Sequence, residues 1–299
     1  MNTITVVGTV AIDSVESPFG KQEECFGGSA AYFSYAASYF AAVRLVGVVG
    51  RDFPPAYRDI LLERGIDLTD LHEQKGSTFR WQGKYEGDMN VAKTLGTDLN
   101  VLVTFDPVIS NKNTDYLFLA NIDPVIQSQV LKQMNVAVAT AADTMNLWID
   151  IKKDELFDVL RQVDMLVIND AEARQLTGES NLVRAMQEIA LRGPTKIVIK
   201  KGEHGALGYY NGTIVAFPAF PLEKVVDPTG AGDTFAGALL GYLAQQETFS
   251  LDIFMRAIAY GAVVASFTVE DFSLNRLRTI HANDIVDRFE EYKKVIRLK

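Results

Sequence analysis

The residues best suited to chemistry lie together in residues 225–246, VVDPTGAGDTFAGALLGYLAQQ. An apolar strand end is followed by the turn Asp227-Pro228, the small residues Gly230-Ala231-Gly232, and Asp233-Thr234 at the start of an apolar-periodic segment. This order predicts a loop that leads into the N-terminus of a helix. Backbone N–H groups can point at an anion there, because the glycines admit close approach and the helix dipole adds about half a positive charge. Asp233 would lie beside this anion hole as a candidate base.

Three interpretations of this stretch follow from the residues alone. Asp is a favoured N-cap, so the stretch could be an ordinary capped turn. A dinucleotide-binding loop of the G-x-G-x-x-G type needs a small residue at position 235, where the chain has Phe235. A P-loop is excluded, because no G-x-x-x-x-G-K-[ST] occurs in the sequence. The third interpretation, an anion hole with an adjacent base for phosphoryl transfer, uses every unusual residue.

Residues 227–235, DPTGAGDTF, resemble the D-[TP]-T-G-A-G-D-x-F signature of the ribokinase-like (PfkB-type) carbohydrate and nucleoside kinases. The resemblance implies ATP-dependent phosphorylation of a hydroxyl, with Asp233 as catalytic base. With its reference pKa of about 3.9, this carboxyl would be ionised at neutral pH. The same resemblance implies that the transferring phosphoryl is held by Gly230, Ala231 and Gly232. It also implies a nucleotide contact at Thr229 and a monovalent cation such as K⁺ beside Asp227.

Further stretches predict the acceptor site. Asp13 follows residues 4–10, an apolar run that predicts a buried strand, and ligands collect at the carboxyl ends of strands in open α/β sheets. Gly27-Gly28 precede a predicted helix and would let a ligand approach the backbone. The resemblance implies that Asp13 and this glycine pair bind the substrate, although the family's usual Asn a few residues later is absent. Asn121, at the end of another predicted strand, is a further candidate for substrate contact.

Two stretches predict contacts with the nucleotide phosphates. Residues 169–172 begin a helix, in which Asp170 is the expected N-cap and Glu172 lies in the first turn, where its charge suits the dipole. Asn169 and Glu172 also match the family's N-x-x-E motif, which organises Mg²⁺. Because Mg²⁺ prefers oxygen ligands and keeps several waters, we expect Glu172 to hold it through water. Residues 200–205, KKGEHG, resemble the family's nucleotide-binding turn, with Lys200 as a point charge for phosphate. The residues expected to bind nucleotide here are Asn169, Glu172, Lys200, Gly202 and Gly205.

The elements that must position these residues alternate between buried-strand and helix patterns. This alternation predicts one α/β domain over residues 1–299, a three-layer α/β/α sandwich with a mostly parallel central sheet. Two polar, turn-rich insertions, residues 14–26 and 72–105, predict a small β-sheet, which in the family is a lid over the substrate. Residues 99–105 are expected to form one of its strands. The lid is also the expected contact if the chain forms a homodimer.

Composition narrows the class of protein. Hydrophobic residues make up 48 % of the 299 residues and charged residues 22 %, as in ordinary globular domains. The net charge of -9 argues against nucleic acid or an anionic membrane as partner. Cys25 is the only cysteine, which excludes an internal disulfide and a cysteine metal cluster. We expect no membrane span and a cytoplasmic location, since neither a long uninterrupted apolar segment nor a basic leader is present.

The acceptor is a small sugar or sugar derivative on the first interpretation of these patterns. A nucleoside kinase is the alternative within the family, because Tyr32, Phe33 and Trp81 could stack on a base. A third possibility, from a different class, is a non-catalytic relative that keeps the fold and binds a sugar or nucleotide. The presence of Asp233 and Lys200 argues against that last interpretation.

Overall fold

The structure is a computed structural model and describes residues 2–87 and 89–296. Within these residues the strands are β1 (Thr3–Val7), β2 (Ala11–Ser17), β3 (Gly20–Gly27), β4 (Ala42–Gly50), β5 (Leu71–Gln74), β6 (Phe79–Tyr85), β7 (Ala92–Asp98), β8 (Asn113–Leu119), β9 (Asn135–Ala142), β10 (Met165–Asn169), β11 (Lys196–Lys200), β12 (Ala206–Tyr210) and β13 (Thr213–Phe217). The α-helices are α1 (Ser29–Ala37), α2 (Pro55–Leu62), α3 (Pro124–Gln133), α4 (Asn146–Ile151), α5 (Lys153–Leu160), α6 (Asp170–Thr177), α7 (Leu182–Ala190), α8 (Ala231–Ala244), α9 (Leu251–Thr268), α10 (Asn275–Thr279) and α11 (Ala282–Val295).

The central sheet has nine strands in the order β13-β12-β11-β10-β9-β8-β1-β4-β5. From β11 to β5 every neighbouring pair is parallel, whereas β12 pairs antiparallel with both β11 and β13. The β12–β13 hairpin turns at Asn211 and Gly212, whose φ values of 47° and 97° are those that a two-residue hairpin turn needs. The carboxyl ends of the parallel strands therefore share one edge of the sheet.

Helices cover both faces of this sheet. Along β1, Val6 and Val7 point to opposite faces, and each belongs to a different hydrophobic core cluster. The cluster around Val6 includes buried residues of α1, α8, α9, α10 and α11. The cluster around Val7 includes buried residues of α3, α5, α6 and α7. This arrangement confirms the predicted three-layer α/β/α sandwich.

A second sheet of four strands, in the order β3-β2-β6-β7, forms the predicted lid. The insertion at 14–26 is the β2–β3 hairpin, as expected, but the second insertion differs at both ends. Leu71–Gln74 is the edge strand β5 of the central sheet, and Asn100–Thr104 is a 3-10 helix where we expected a strand. Because Val101 and Leu102 are both buried while Val103 is exposed, this segment packs as a helical turn and not with strand alternation.

One helix of the described residues, α9, is long and apolar enough to qualify as a membrane span by length and mean hydropathy alone. In the fold it packs against α8 and β12, and 56 % of the helix is buried. A core helix of a globular protein passes the same test.

Candidate active site

The signature loop leads into a helix, as the sequence predicts, but α8 begins at Ala231, before Asp233-Thr234, so Asp233 is not the N-cap. Gly230 is the residue before the helix and has φ 74°, a left-handed conformation that a side chain disfavours. A Cβ at this position would lie 2.4 Å from ring atoms of Tyr32, so the turn also needs a residue without a side chain. In the first turn of α8 the N–H of Ala231 donates to the Pro228 carbonyl at 3.1 Å, which leaves the N–H groups of Gly232 and Asp233 without a partner earlier in the helix. These groups and the dipole favour an anion at this point.

Lys200, at the end of β11, brings its ammonium to the same place. A Cβ on Gly232 would lie 3.0 Å from Lys200 Nζ, so the ammonium rests against the first turn of α8. Lys200 Nζ also lies 3.0 Å from Oδ2 of Asp143, a buried residue directly after β9. Burial alone would lower the pKa of Lys200, but the carboxylates around it raise the pKa overall. The ammonium therefore stays charged beside the anion hole.

Asp233 lies in the first turn of α8, within the field of that ion pair. Burial, followed by repulsion from Asp143, raises the pKa of the Asp233 carboxyl to about 7, and Lys200 opposes the rise. The expectation that Asp233 is fully ionised at neutral pH is therefore wrong for the free protein, because the site is poorly solvated. A carboxylate with a pKa near 7 is well matched to the role of a general base.

Asn169 and Glu172 form a reciprocal cap at the start of α6. Asn169 Oδ1 accepts a hydrogen bond from the Glu172 N–H at 2.8 Å, and Glu172 Oε2 accepts one from the Asn169 N–H at 2.9 Å. The Glu172 carboxyl nevertheless lies within the influence of the ion pair: burial, then repulsion from Asp143, raises its pKa to about 8, and Lys200 opposes the rise. The N-cap is therefore Asn169 and not Asp170 as expected, and the Glu172 that completes this cap also interacts with the site.

The donors here fit Mg²⁺ bound together with phosphate. Asp143, Glu172 and Asp233 surround a single ammonium, that of Lys200, so a second cation would favour the ionised form of the two carboxyls whose pKa is raised. Among the described residues no group of three or more His, Cys, Asp or Glu side chains is arranged to hold a metal ion unaided. Magnesium commonly keeps its waters and shares one carboxylate with substrate phosphates, which suits this arrangement.

Asp13 lies inside lid strand β2 and not just past β1 as predicted. A Cβ on Gly27 would lie 1.9 Å from Asp13 Oδ2, and Gly28, with φ 101°, donates its N–H to the Asp13 carboxyl. Asp13 Oδ1 is buried without a hydrogen-bond partner in the described part of the chain. Burial, then repulsion from Asp227 and Asp233, raises the pKa of Asp13 to about 8. An acceptor hydroxyl would satisfy this carboxyl, as the predicted substrate role requires.

Asn121 follows β8, at the edge of the sheet where the parallel strands end, but its side chain already makes hydrogen bonds within the protein. Its Oδ1 accepts a hydrogen bond from Trp148 Nε1 at 3.0 Å, and its Nδ2 lies 3.2 Å from Met145 Sδ. These bonds anchor the start of α4. The predicted substrate contact of Asn121 therefore gains no support from its geometry.

The signature loop also touches the lid. Thr229 Oγ1 donates to the hydroxyl of Tyr85 in β6 at 3.2 Å, which links the loop to the small sheet. Asp227 accepts from the N–H of Thr229 at 2.9 Å and from that of Ser273 at 3.4 Å. Both carboxylate oxygens of Asp227 thus accept hydrogen bonds from backbone N–H groups, so a monovalent cation here would have to share these oxygens with them.

The predicted nucleotide turn follows β11 directly. Gly202 and Gly205 have φ values of 54° and 80°, and a Cβ on Gly205 would lie 2.0 Å from the carbonyl oxygen of Phe217. The lid reaches this turn as well, since Asn90 Nδ2 donates to Glu203 Oε1 at 3.2 Å. The conformation of the turn therefore requires its glycines, and nucleotide binding by Gly202 and Gly205 stays a prediction.

Two residues of the site were not singled out from the sequence. Asp143 carried a usable signal, because it is the first charged residue after a buried strand at the ligand edge. Tyr85 carried none, since only the folding of the lid brings it to Thr229. The structure brings Asp143, Glu172, Lys200 and Asp233 together, with the Asp13 carboxyl close enough to interact with Asp233.

Comparisons with known proteins identify the family of the chain. A family model described as pfkB family carbohydrate kinase matches residues 1–279. A cytidine kinase of Thermococcus kodakarensis is 30 % identical over 252 residues, which cover 81 % of this chain and 89 % of that protein. A ribokinase of Lactococcus lactis is 24 % identical over 290 residues, which cover 89 % of this chain and 92 % of that protein.

Solved structures show the same fold. The Methanocaldococcus jannaschii nucleoside kinase has a TM-score of 0.78 at 20 % identity and covers 97 % of this chain and 99 % of that chain. A Thermotoga maritima ribokinase has a TM-score of 0.77 at 17 % identity, with 97 % and 100 % coverage. From the family match and the cytidine kinase similarity, the chain belongs to the pfkB family of carbohydrate kinases.

Proposed function

We propose that this enzyme transfers the γ-phosphoryl group of ATP to a hydroxyl of a small sugar or nucleoside. One observation carries the proposal: the Lys200 ammonium lies against the first turn of α8, next to the carboxyl of Asp233. Positive charge and helix N–H groups at one point suit a phosphoryl group in transfer. The half-buried carboxyl of Asp233 beside them can accept the proton of the hydroxyl that attacks the phosphoryl group.

The chemistry follows from that arrangement. The acceptor oxygen forms a bond to the γ-phosphorus, the bond to the bridging oxygen of ADP breaks, and the hydroxyl proton passes to Asp233. Lys200 and the N-terminus of α8 neutralise charge on the phosphoryl oxygens, which contributes more than base strength in a loose transition state. Asp13, whose Oδ1 has no hydrogen-bond partner among the described residues, holds another part of the acceptor.

Ions complete the proposal. Mg²⁺ bound with the nucleotide would neutralise phosphate charge, and Glu172, whose Oε2 caps α6, would contact its waters. Asn169, Gly202, Gly205 and Thr229 remain proposed nucleotide contacts. We also propose a K⁺ ion beside Asp227. The test compares turnover in K⁺ with turnover in tetramethylammonium at equal ionic strength, and equal rates would contradict the K⁺ site.

Replacement of Asp233 by Asn tests the catalytic assignment. We expect kcat to fall by about 10² to 10⁴, because general-base catalysis contributes about that much. ADP release is measured across a panel of sugars and nucleosides, with thermal unfolding as a check on folding. Asp252→Asn is the matched control, since Asp252 also lies in the first turn of a helix but is exposed. Near-normal turnover in folded Asp233→Asn protein would overturn the assignment.

We also propose that two copies associate through the lid, in the cytoplasm. The edge strand β7 carries Leu95, which is 54 % exposed, and Val91 and Leu99 flank it with exposed side chains. Leu95→Asp should then shift the sedimentation coefficient from dimer to monomer. A wild-type monomer at micromolar concentration would contradict the proposed dimer. For the proposed cytoplasmic location, the contradicting result is activity recovered only in a membrane fraction.

A further inference from the structure

The inner face of the lid is defined by strand register. In the parallel β2–β6 pair, Asp13 lies opposite Trp81 and Val15 lies opposite Gly83, with no register shift between them. Because alternate residues of a strand share a face, Trp81, Gly83 and Tyr85 point to the same side as Asp13. Asp13 belongs to the acceptor site and Tyr85 bonds to the signature loop, so this side looks onto the active site.

Trp81 is held as a flat surface on this face. A Cβ on Gly83 would lie 2.0 Å from Cη2 and 2.4 Å from Cζ2 of Trp81, so the six-membered ring lies directly over the glycine. The indole Nε1 donates to Thr94 Oγ1 of β7 at 3.3 Å, which fixes the other edge of the ring. The side chain is only partly buried. It therefore offers a pre-oriented aromatic surface with its glycine support underneath.

Beside this ring the inner face carries the Asp13 carboxyl and the hydroxyls of Thr94 and Thr97, but no basic side chain of β6. Val15 and Gly83 lie beside it on the inner face, whereas Arg80 and Lys84 alternate to the outer face. Arg80 pairs there with Glu24 at 2.7 Å, and Lys84 pairs with Glu16 at 2.9 Å. The exposed flat face of the indole itself offers no hydrogen-bond partner, so a sugar lying on it would leave hydroxyls unpaired, while a planar base would lose little by covering it.

The spacing also fits a two-part acceptor. Neighbouring strands lie about 4.8 Å apart and alternate residues of one strand about 6.6 Å apart, so a ribose at Asp13 puts its base near Trp81. The other two candidate aromatic residues cannot serve. Tyr32 and Phe33 are 1 % and 0 % exposed, and Phe33 stacks on Phe118 within the core.

We propose that the acceptor is a nucleoside, whose ribose is held at Asp13 and whose base stacks on Trp81. This inference rests on the proposed kinase function and adds the class of acceptor to it. Trp81 is thus the residue that separates nucleosides from free sugars.

The test compares kcat/KM for cytidine, uridine, adenosine and inosine with that for ribose and fructose. We expect a nucleoside to be the best acceptor of wild-type enzyme. Trp81→Leu should raise KM for that nucleoside about 5- to 150-fold, the range of base stacking on aromatic side chains, and Trp81→Phe should lose much less. Gly83→Ala should also raise KM, because it displaces the ring without removing it. Gln82→Ala, an exposed residue on the outer face, is the control and should leave KM unchanged.

Two outcomes separate this inference from the kinase function. If ribose or fructose is the best acceptor and Trp81→Leu leaves its KM unchanged, the nucleoside inference is wrong and the kinase function stands. If folded protein releases ADP with no acceptor of the panel, the kinase function is in doubt, and calorimetric titration with the four nucleosides decides the stacking. Binding that Trp81→Leu weakens would then support the base site, and binding it leaves unchanged, or no binding, would reject it.

Discussion

Removing either partner of the Lys200–Asp143 ion pair should shift the pH dependence of catalysis, and the direction should depend on which partner is removed. Asp233 has a pKa raised to about 7, which Asp143 increases and Lys200 decreases. Lys200→Met removes a favourable cation, so the pKa of Asp233 should rise further. Asp143→Asn removes a repulsive anion, so the same pKa should fall.

The size of the shift follows from the geometry. An opposite charge within about 4–6 Å moves a carboxyl pKa by about one to three units. Lys200 is already partly neutralised by Asp143, whose Oδ2 lies 3.0 Å from Nζ, so the lower end applies. We expect a shift of about one unit in each direction, which corresponds to about 1.4 kcal/mol.

The assay is the initial rate between pH 5.5 and 9 with ATP and acceptor both well below their KM values, which reports ionisations of the free enzyme. Because the base must be deprotonated, activity should rise with pH through the pKa of Asp233. The midpoint should lie near 7 in the wild type. The midpoint should lie at about 8 in Lys200→Met and at about 6 in Asp143→Asn. Lys196→Met, at the opposite end of β11, is the control and should keep the wild-type midpoint.

Shifts of the two variants in the same direction would refute the electrostatic reasoning. An Asp143→Asn enzyme with much lower activity and an unchanged midpoint would show that Asp143 acts through a ligand contact and not through the charge at Asp233. Thermal unfolding of each variant separates these outcomes from loss of folding, which is a real risk when a buried pair loses one partner.

Two further predictions concern stability. Gly230→Ala should lower the free energy of unfolding by about 1–3 kcal/mol, measured with denaturant, because a left-handed residue gains a Cβ against Tyr32. Gly65→Ala is the control, since Gly65 has a similar φ but open space around it, and it should lower the free energy of unfolding less. Equal losses in the two variants would contradict the role of the Tyr32 contact. Asp13 has a folded pKa of about 8, against 3.8 unfolded, so stability falls as pH rises between these values. Asp13→Asn should therefore stabilise the protein by at least about 1 kcal/mol more at pH 8.5 than at pH 5.5, and a pH-independent effect would contradict the raised pKa.

The local conformation of the signature was decided by the sequence alone. The glycine-rich turn leads into a helix and Glu172 lies in the first turn of α6, both as predicted, although α8 begins at Ala231 and the N-cap of α6 is Asn169 where Asp170 was expected. Each of these features depends on residues within a few positions of one another. Backbone sterics and capping hydrogen bonds at that range do not need the rest of the fold.

The electrostatics of the site were decided only by the tertiary structure. Asp143 and Lys200 are 57 residues apart in sequence, and they meet because β9, β10 and β11 are adjacent parallel strands that end at one edge. The placement of Asp13 in the lid and the contact of Tyr85 with Thr229, 144 residues apart, depend likewise on strand pairing. Burial then moved the Asp233 pKa far from its reference value, and no sequence pattern reports desolvation. Residue types therefore predicted which groups do the chemistry, while packing set their charges and their partners.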